Sequence, residues 1–459
     1  MVVIGPRDVR IKSKRLAALL LLIGLAACSS GANSTLPSNV NNSNASGVAY
    51  PNGGTAALPE FNNVGHLTEF DVPDASKVVI PACAPPGAPT SSCGTVVTSI
   101  DDEGTIVGWF TDRAYLPHAF IRNAGGAVRS FDAPGAGTGK FQGTYANAIN
   151  NRGVIAGYLQ ESSNRLRGFL RGPSGSFTLF DAPGAGTGMV QGTAAIDVNI
   201  NGVADGQVID SKGVSHSFIR LANGAMRTFD PPGSVYSAPT PDGSINMWGA
   251  IVGYYGGTDN LVHAFLRTQY GLITKIDPPG AAGGAIAASI SDSNVVSGYY
   301  VDSKGVLRGF LRFPNGSYLR YNAPNGSQVS GEGVVAGPIN IFSTVGGTGF
   351  DAKGFAHGFS RRIDGAFATF DAPGGGGTTF YKGTVSIWIN NSGTIAGIWN
   401  DDKNLSHGFV WQPPQPTAFA KPAAQSQVLD ISAKSNPPAG FRSLPYPPGT
   451  IERFLPKRP

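Results

Sequence analysis

Helical periodicity is missing between residues 65 and 412, where apolar residues do not recur at three- and four-residue spacing, and this excludes a helical bundle or a coiled coil. Charge is scarce too, at 14% of residues against about 25% in ordinary globular chains. The whole chain holds 34 basic and 29 acidic residues, and residues 1–27 account for five of the basic and one of the acidic, so the remainder stands at 29 against 28. A balance of +1 leaves no basic stripe for nucleic acid and no cationic face for an anionic membrane surface. The apolar run at residues 16–25 is about ten residues long, half of what a bilayer-spanning helix needs. Gly-x-Ser-x-Gly elbows, zinc-binding helix motifs and Cys/His nucleophile pairs are absent.

What is present begins with Arg7, Arg10, Lys12, Lys14 and Arg15, followed by LAALLLLIGL and then Ala26-Ala27-Cys28. A basic cluster, a short apolar stretch and small residues form an export signal. Leu25-Ala26-Ala27-Cys28 resembles the lipobox of bacterial lipoproteins, which implies cleavage before Cys28 and lipidation of its thiol. Ser29 in the next position implies sorting to the outer membrane. Of the other two cysteines, Cys83 and Cys93 lie ten apart in PACAPPGAPTSSC, and an oxidising exported setting makes them a local disulfide. Without neighbouring histidines they would leave a zinc site half built. Residues 28–64 are rich in Ser, Asn and Gly, read here as a lipid-anchored disordered tether, and residues 413–459 carry eleven of the 34 prolines as an extended tail.

Between these, residues 65–412 repeat with a period near 49. An aliphatic residue recurs at Ile100, Ile149, Val198, Ile245, Ile290, Ile339 and Ile389, with a glycine eight residues on and a phenylalanine twelve beyond that. In the sixth copy GEGVVAG at 331–337 mimics the motif, but only Gly347 keeps every spacing. Each copy divides into four short runs rich in Val, Ile, Phe and Tyr, punctuated by Gly, Asn and Asp. The pattern predicts an all-β fold, a seven-bladed β-propeller of four-stranded antiparallel blades. The closing Phe-Asp-x-Pro segment is missing from the seventh copy and stands instead ahead of the first, at LTEFDVP 67–73. An N-terminal strand that completes the last blade is therefore expected, with Thr417–Lys421 as the alternative fourth strand.

HAFIR at 118, HAFLR at 263 and HGFVW at 407, together with INNRGVIAGY and FDAPGAGTG, resemble the bacterial extracellular HAF-repeat family, and the resemblance covers nearly all of residues 67–411. It implies export and a propeller-like array, and it brings no defined reaction or ligand.

DAPGAGTGKFQGT at 132–144 invites a phosphate loop, but its first position is Pro134, its last is Phe141, and the sister copy at 181–193 replaces Lys140 by Met189. No nucleotide or other cofactor is expected. His118, His216, His263, His357 and His407 share one repeat position that carries Arg167 and Arg308 in the other two copies. Arginine has no lone pair for a metal, so the seven residues are expected to be structural hydrogen-bond donors and no metal is assigned. The aspartates Asp71, Asp132, Asp181, Asp230, Asp277 and Asp371 are candidate acceptors. Single-carboxylate turns at Asp210, Asp302 and Asp351 are hairpins, not calcium loops.

All length variation falls in the crossovers between copies, so recognition is expected there, with Phe110, Tyr255 and Tyr300 as the candidate binding face. Three functions fit: an outer-membrane-anchored, non-catalytic binding, adhesion or scaffold protein for a glycan or protein; a carbohydrate-active lyase or hydrolase in the central funnel; an envelope assembly subunit. The export argument is testable directly. Cys28→Ser is expected to move the protein from the membrane fraction to the soluble one, and unchanged fractionation would refute lipid anchoring.

Overall fold

The recurring glycine and phenylalanine meet as cross-strand partners. Gly108 faces Phe120, Gly157 faces Phe169, Gly206 faces Phe218, Gly253 faces Phe265, Gly298 faces Phe310, Gly347 faces Phe359 and Gly397 faces Phe409. Every one of these rings is fully buried. A Cβ on these glycines would lie 2.3–2.9 Å from the facing ring and 2.0–2.8 Å from a carbonyl oxygen of the repeat's first strand, so only hydrogen fits. The sixth copy obeys through Gly347, which confirms Ile339 over the GEGVVAG mimic.

The computed structural model describes residues 65–79, 93–324, 326–374 and 383–414 and the backbone of 429–430. Among these residues the fold is all-β, with no helix. Each copy forms consecutive antiparallel strands. In the second, Gly143–Ile149 pairs with Ile155–Gln160, which pairs with Leu166–Arg171, which pairs with Phe177–Phe180, matching the four expected segments. The last copy has three strands of its own, ending in Ser406–Gln412, and there His66–Phe70 takes the fourth place with Phe70 opposite Gly408. Leu429–Asp430 pairs with the outer strand Tyr318–Tyr321. The signal, Cys28, the tether, Cys83 and the alternative strand Thr417–Lys421 lie outside the described residues.

Neighbouring units are joined in three ways. First, a glycine opening one unit bridges the third strand of the unit before it: Gly192 with Leu166, Gly333 with Leu307, Gly383 with Ala356, and Gly94 with Ser406. These glycines hold φ between 97° and 122°, and a Cβ there would strike a carbonyl oxygen at 2.0–2.3 Å. Second, the arginine ending a third strand lies over the previous unit's fourth-strand aromatic, as in Arg171 over Phe131 at 4.6 Å and Arg220 over Phe180 at 5.1 Å. Arg122 of the first unit lies over Phe70 at 4.6 Å in the same way. Third, the residue after the aliphatic marker, an asparagine in five of the seven copies, forms an amide belt. Asn150 Nδ2 donates to the carbonyl of Asn199, Asn199 to that of Asn246, Asn246 to that of Ser291, Asn340 to that of Asn390, and Asn390 to that of Asp101.

Each belt asparagine also caps its own turn: Asn150 Oδ1 accepts from the amides of Arg152 and Val154 at 3.0 and 3.1 Å. Asn390→Ala removes both functions at a buried position and is expected to cost about 1–3 kcal/mol. A urea unfolding midpoint unchanged from wild type would show that the belt carries no stability.

Candidate functional site

The five histidines stand between pairs of carboxylates. His118 Nδ1 lies 2.9 Å from Asp132 and its Nε2 3.7 Å from Asp112. His216 repeats this with Asp230 and Asp210, His263 with Asp277 and Asp259, His357 with Asp371 and Asp351, and His407 with Asp71 and Asp401. Arg167 reaches Asp181 and Glu161, while Arg308 reaches Asp302 and Asn322. One partner lies in the turn between the second and third strands and the other follows the fourth, so each donor ties a hairpin to the crossover. Each of the seven expected donors thus has an acidic or amide partner beside it. Asp210, Asp302 and Asp351 each accept two turn amides through Oδ1, as hairpin turns do.

The same geometry corrects the expected binding face. Phe110, Tyr255 and Tyr300 are only 2%, 5% and 6% exposed. Each stands opposite the donor of the adjacent strand, namely His118, His263 and Arg308, and those side chains are drawn across the strand end by their acidic partners. The Phe110 and Tyr255 rings lie 5.4 and 5.2 Å from their histidines. They close the crossover end of the sheets instead of meeting a ligand. The glycine-rich crossover is closed too: Gly139 N–H donates to Gln142 Oε1 at 2.9 Å and Gly137 N–H to the Gln160 carbonyl at 2.8 Å. Both of these glycine amides are thereby occupied, and Gly188 with Gln191 repeats the first contact. Cys93 is buried and disulfide-bonded.

The concave feature sits at the opposite end. Every repeat sends the end of its first strand to one cavity of about 170 Å³, lined by the belt asparagines and the residues after them. Most of the turns around its mouth are polar at their tips, with Asp102-Glu103, Asn151-Arg152, Asp292-Ser293 and Asn391-Ser392. Three turns carry apolar residues, Ile200-Asn201, Met247-Trp248 and Ile341-Phe342, and only the last two place one at the second tip position. Trp248 is 56% exposed, Ile341 43% and Phe342 65%. The Trp248 indole N–H donates to the Asp292 carbonyl at 2.9 Å, which fixes the ring at the rim.

Three carboxylates break the repeat beside this cavity. Asp197 stands where other copies have Ser99, Ala148, Ser244, Ser289, Pro338 and Trp388; Asp205 replaces residues such as Val107 and Val252; Asp242 replaces Val97, Ala146 and Ala195. Asp197 accepts from the Val198 and Ile245 amides at 2.7 and 3.3 Å, and Asp205 accepts from Ser244 Oγ at 2.8 Å. Burial raises both above the ordinary carboxylate range, and the Asp197 charge raises Asp205 further. Asp242 is 5% exposed, lines the cavity, and its Oδ1 has no hydrogen-bond partner. Burial pushes it up to about 8. Among the described residues no group of three or more His, Cys, Asp or Glu is placed to hold a metal ion. None of these acids is among the site residues expected from the sequence; their signal there is alignment on the aliphatic marker, where each stands as an exception at its repeat position.

Four of the histidines and Asp242 shift in the same direction, upward. The Asp132 hydrogen bond raises His118. At His216, His357 and His407 burial opposes protonation, and the paired aspartates outweigh it to raise all three. A group that binds its proton more tightly when folded stabilises below its unfolded pKa and loses that stabilisation as pH rises through the folded one. For His118, His216, His357 and His407 the loss begins near 6.5; for Asp242 the window runs from ordinary carboxylate values to about 8. The urea midpoint is therefore expected to fall between pH 5.5 and 8.5, less steeply in Asp242→Asn. A midpoint that rises over this range would contradict the assignment.

No family model matches the chain, and no curated protein matches it. Among solved structures it is similar to a streptogramin B lyase, with 14% identity and a TM-score of 0.47 over 76% of this chain and 97% of that one. It is also similar to virginiamycin B lyase from Staphylococcus aureus, with 12% identity and a TM-score of 0.47 over 75% of this chain and 99% of that one. The BP39L lectin from Burkholderia pseudomallei gives 11% identity and a TM-score of 0.44 over 69% of this chain and 94% of that one.

Proposed function

We propose that this chain is a seven-bladed β-propeller of the HAF-repeat type, closed into a ring by its N-terminal strand, exported and anchored to the outer membrane through lipid on Cys28. Its function is recognition: a non-catalytic module that meets a glycan or protein ligand at the mouth of the central cavity. Ring closure is supported by Asp71 and Val72, which serve the two ends of the array together. Asp71 takes the His407 donor, as Asp132 takes His118, while the Val72 amide donates to Thr95 Oγ1 at 3.0 Å, as Ala133 does to Thr144 at 2.9 Å.

The observation that carries the recognition reading is the exposed aromatic pair. Trp248 and Phe342 occupy turn positions that are polar in the other five copies, and they flank the one cavity to which every copy contributes. Large apolar rings held in water beside a concavity suit ligand contact. On this reading recognition lies at the end away from the crossovers, whereas length variation in the sequence points to the crossover loops.

A second reading, a lyase or hydrolase in the funnel, draws on Asp197, Asp205 and Asp242, since catalytic acids depart from a repeat. Asp197 and Asp205 are held by amides and a serine, and catalysis would rest on Asp242. Screening the full chain against polysaccharides and envelope extracts tests both readings. Binding without turnover is expected, and Trp248→Ala with Phe342→Ala should weaken it at least tenfold. Turnover of a polysaccharide that Asp242→Asn abolishes would establish the enzyme instead, and binding unaffected by both rim substitutions would move the site elsewhere.

A further inference from the structure

The recognition reading leaves the chemistry of the ligand open, and the cavity narrows it. Its wall contains no lysine, arginine or histidine, and its only ionisable residues are Asp102, Asp197, Asp242 and Asp292. Three of these are satisfied by the protein. Asp102 accepts from Asn151 and from the amide and side chain of Asn391, Asp292 accepts from the Met247 amide at 2.8 Å, and Asp197 accepts from two amides. Asp242 is the exception, with an unpartnered Oδ1 in a side chain that is 95% withdrawn from solvent yet still part of the wall.

A buried carboxyl without a donor costs free energy that a bound cation would return. The cation must be compact, since about 170 Å³ is well below the roughly 300–1,000 Å³ of pockets that engulf drug-sized ligands. Trp248 and Phe342 follow the wall residues Met247 and Ile341 and are exposed, and their ring faces attract a positive charge more than a neutral group. A metal ion fits less well, since no trio of ligating side chains gathers among the described residues.

We propose that the central cavity is a receptor for an organic ammonium group, with Asp242 as the counter-ion, Trp248 and Phe342 as the aromatic entrance, and the remainder of the ligand lying across the rim. The site rests on the recognition reading and adds a charge requirement to it. Burial accounts for the raised Asp242 titration in the empty cavity, and an entering ammonium supplies the missing partner.

The test uses n-butylammonium and its neutral counterpart n-butanol on the full chain, with affinity read by ligand-observed saturation-transfer NMR at constant ionic strength. Wild type is expected to bind the ammonium at least tenfold more tightly than the alcohol. Asp242→Asn should erase that preference and leave the thermal midpoint equal or higher, since a neutral amide of the same shape replaces a buried acid. Trp248→Ala, at an exposed position that keeps the fold intact, should weaken the ammonium several-fold. Equal binding of the two probes by wild type, a preference that survives Asp242→Asn, or displacement of the ammonium by equimolar sodium would each overturn the proposal. If the charge preference is absent while a larger ligand still depends on Trp248 and Phe342, the ammonium site fails and the recognition reading stands. If the preference is present and those two rings contribute nothing to any larger ligand, the reverse holds.

Discussion

A phenyl ring laid across a glycine is the contact on which each unit depends. The ring fills the space between the second and third strands, and the missing Cβ lets a carbonyl of the first strand approach at the same point. One residue pair thus sets the spacing of three strands, and replacing the glycine would put a carbon atom inside both neighbours. Because the pair recurs in every copy, the units share one thickness, and the ties between them fall at equivalent places. The arginine over the preceding aromatic, the bridge at the positive-φ glycine and the asparagine belt all link nearest neighbours only. Such one-dimensional coupling is a general property of repeat folds, and it makes the two ends the weak points of any open array.

Chemistry that obeys the repeat and chemistry that breaks it occupy opposite ends of the sheets. At the crossover end, histidines, arginines and aspartates neutralise one another in every unit, and the aromatic strand ends are covered by them. At the other end, asparagine side chains join the first strands, and the departures collect there: Trp248 and Phe342 on the turns around the mouth, Asp197 in the wall with Asp205 behind it, and Asp242 with an Oδ1 that no protein donor reaches. Some of these departures also bond to the next unit, Asp197 to the Ile245 amide, Asp205 to Ser244 and Trp248 to the Asp292 carbonyl, so at this end the exceptions share in joining neighbouring units.

The strands, their order and the register of the sixth copy were legible in the sequence, because glycine and phenylalanine are required in fixed positions and steric demands leave a strict spacing. The donor role of His118, Arg167 and their equivalents was legible for a similar reason, since histidine and arginine share hydrogen-bond donation and little else. The site was not. Phe110, Tyr255 and Tyr300 look exposed in a string of letters, and only the side chains of His118, His263 and Arg308 crossing from the next strand reveal that they are covered. The belt asparagines were visible as the letter after each aliphatic marker, yet asparagine before a turn is so often a simple cap that its second bond, to a neighbour nearly fifty residues away, carries no local signal.

The strand His66–Phe70 is among the first parts of the described chain to be synthesised, and its partner Ser406–Gln412 is among the last. A chain made from its N-terminus therefore carries an unpaired strand edge through nearly the whole of synthesis, with Asp71 waiting for a histidine 336 positions away. Contacts of such sequence separation form late, and an open edge can recruit another chain in the interval. The short length of this strand and the carboxylates Glu69 and Asp71 at its end oppose that recruitment. Truncation before Ser406–Gln412 would remove the strand with which His66–Phe70 pairs.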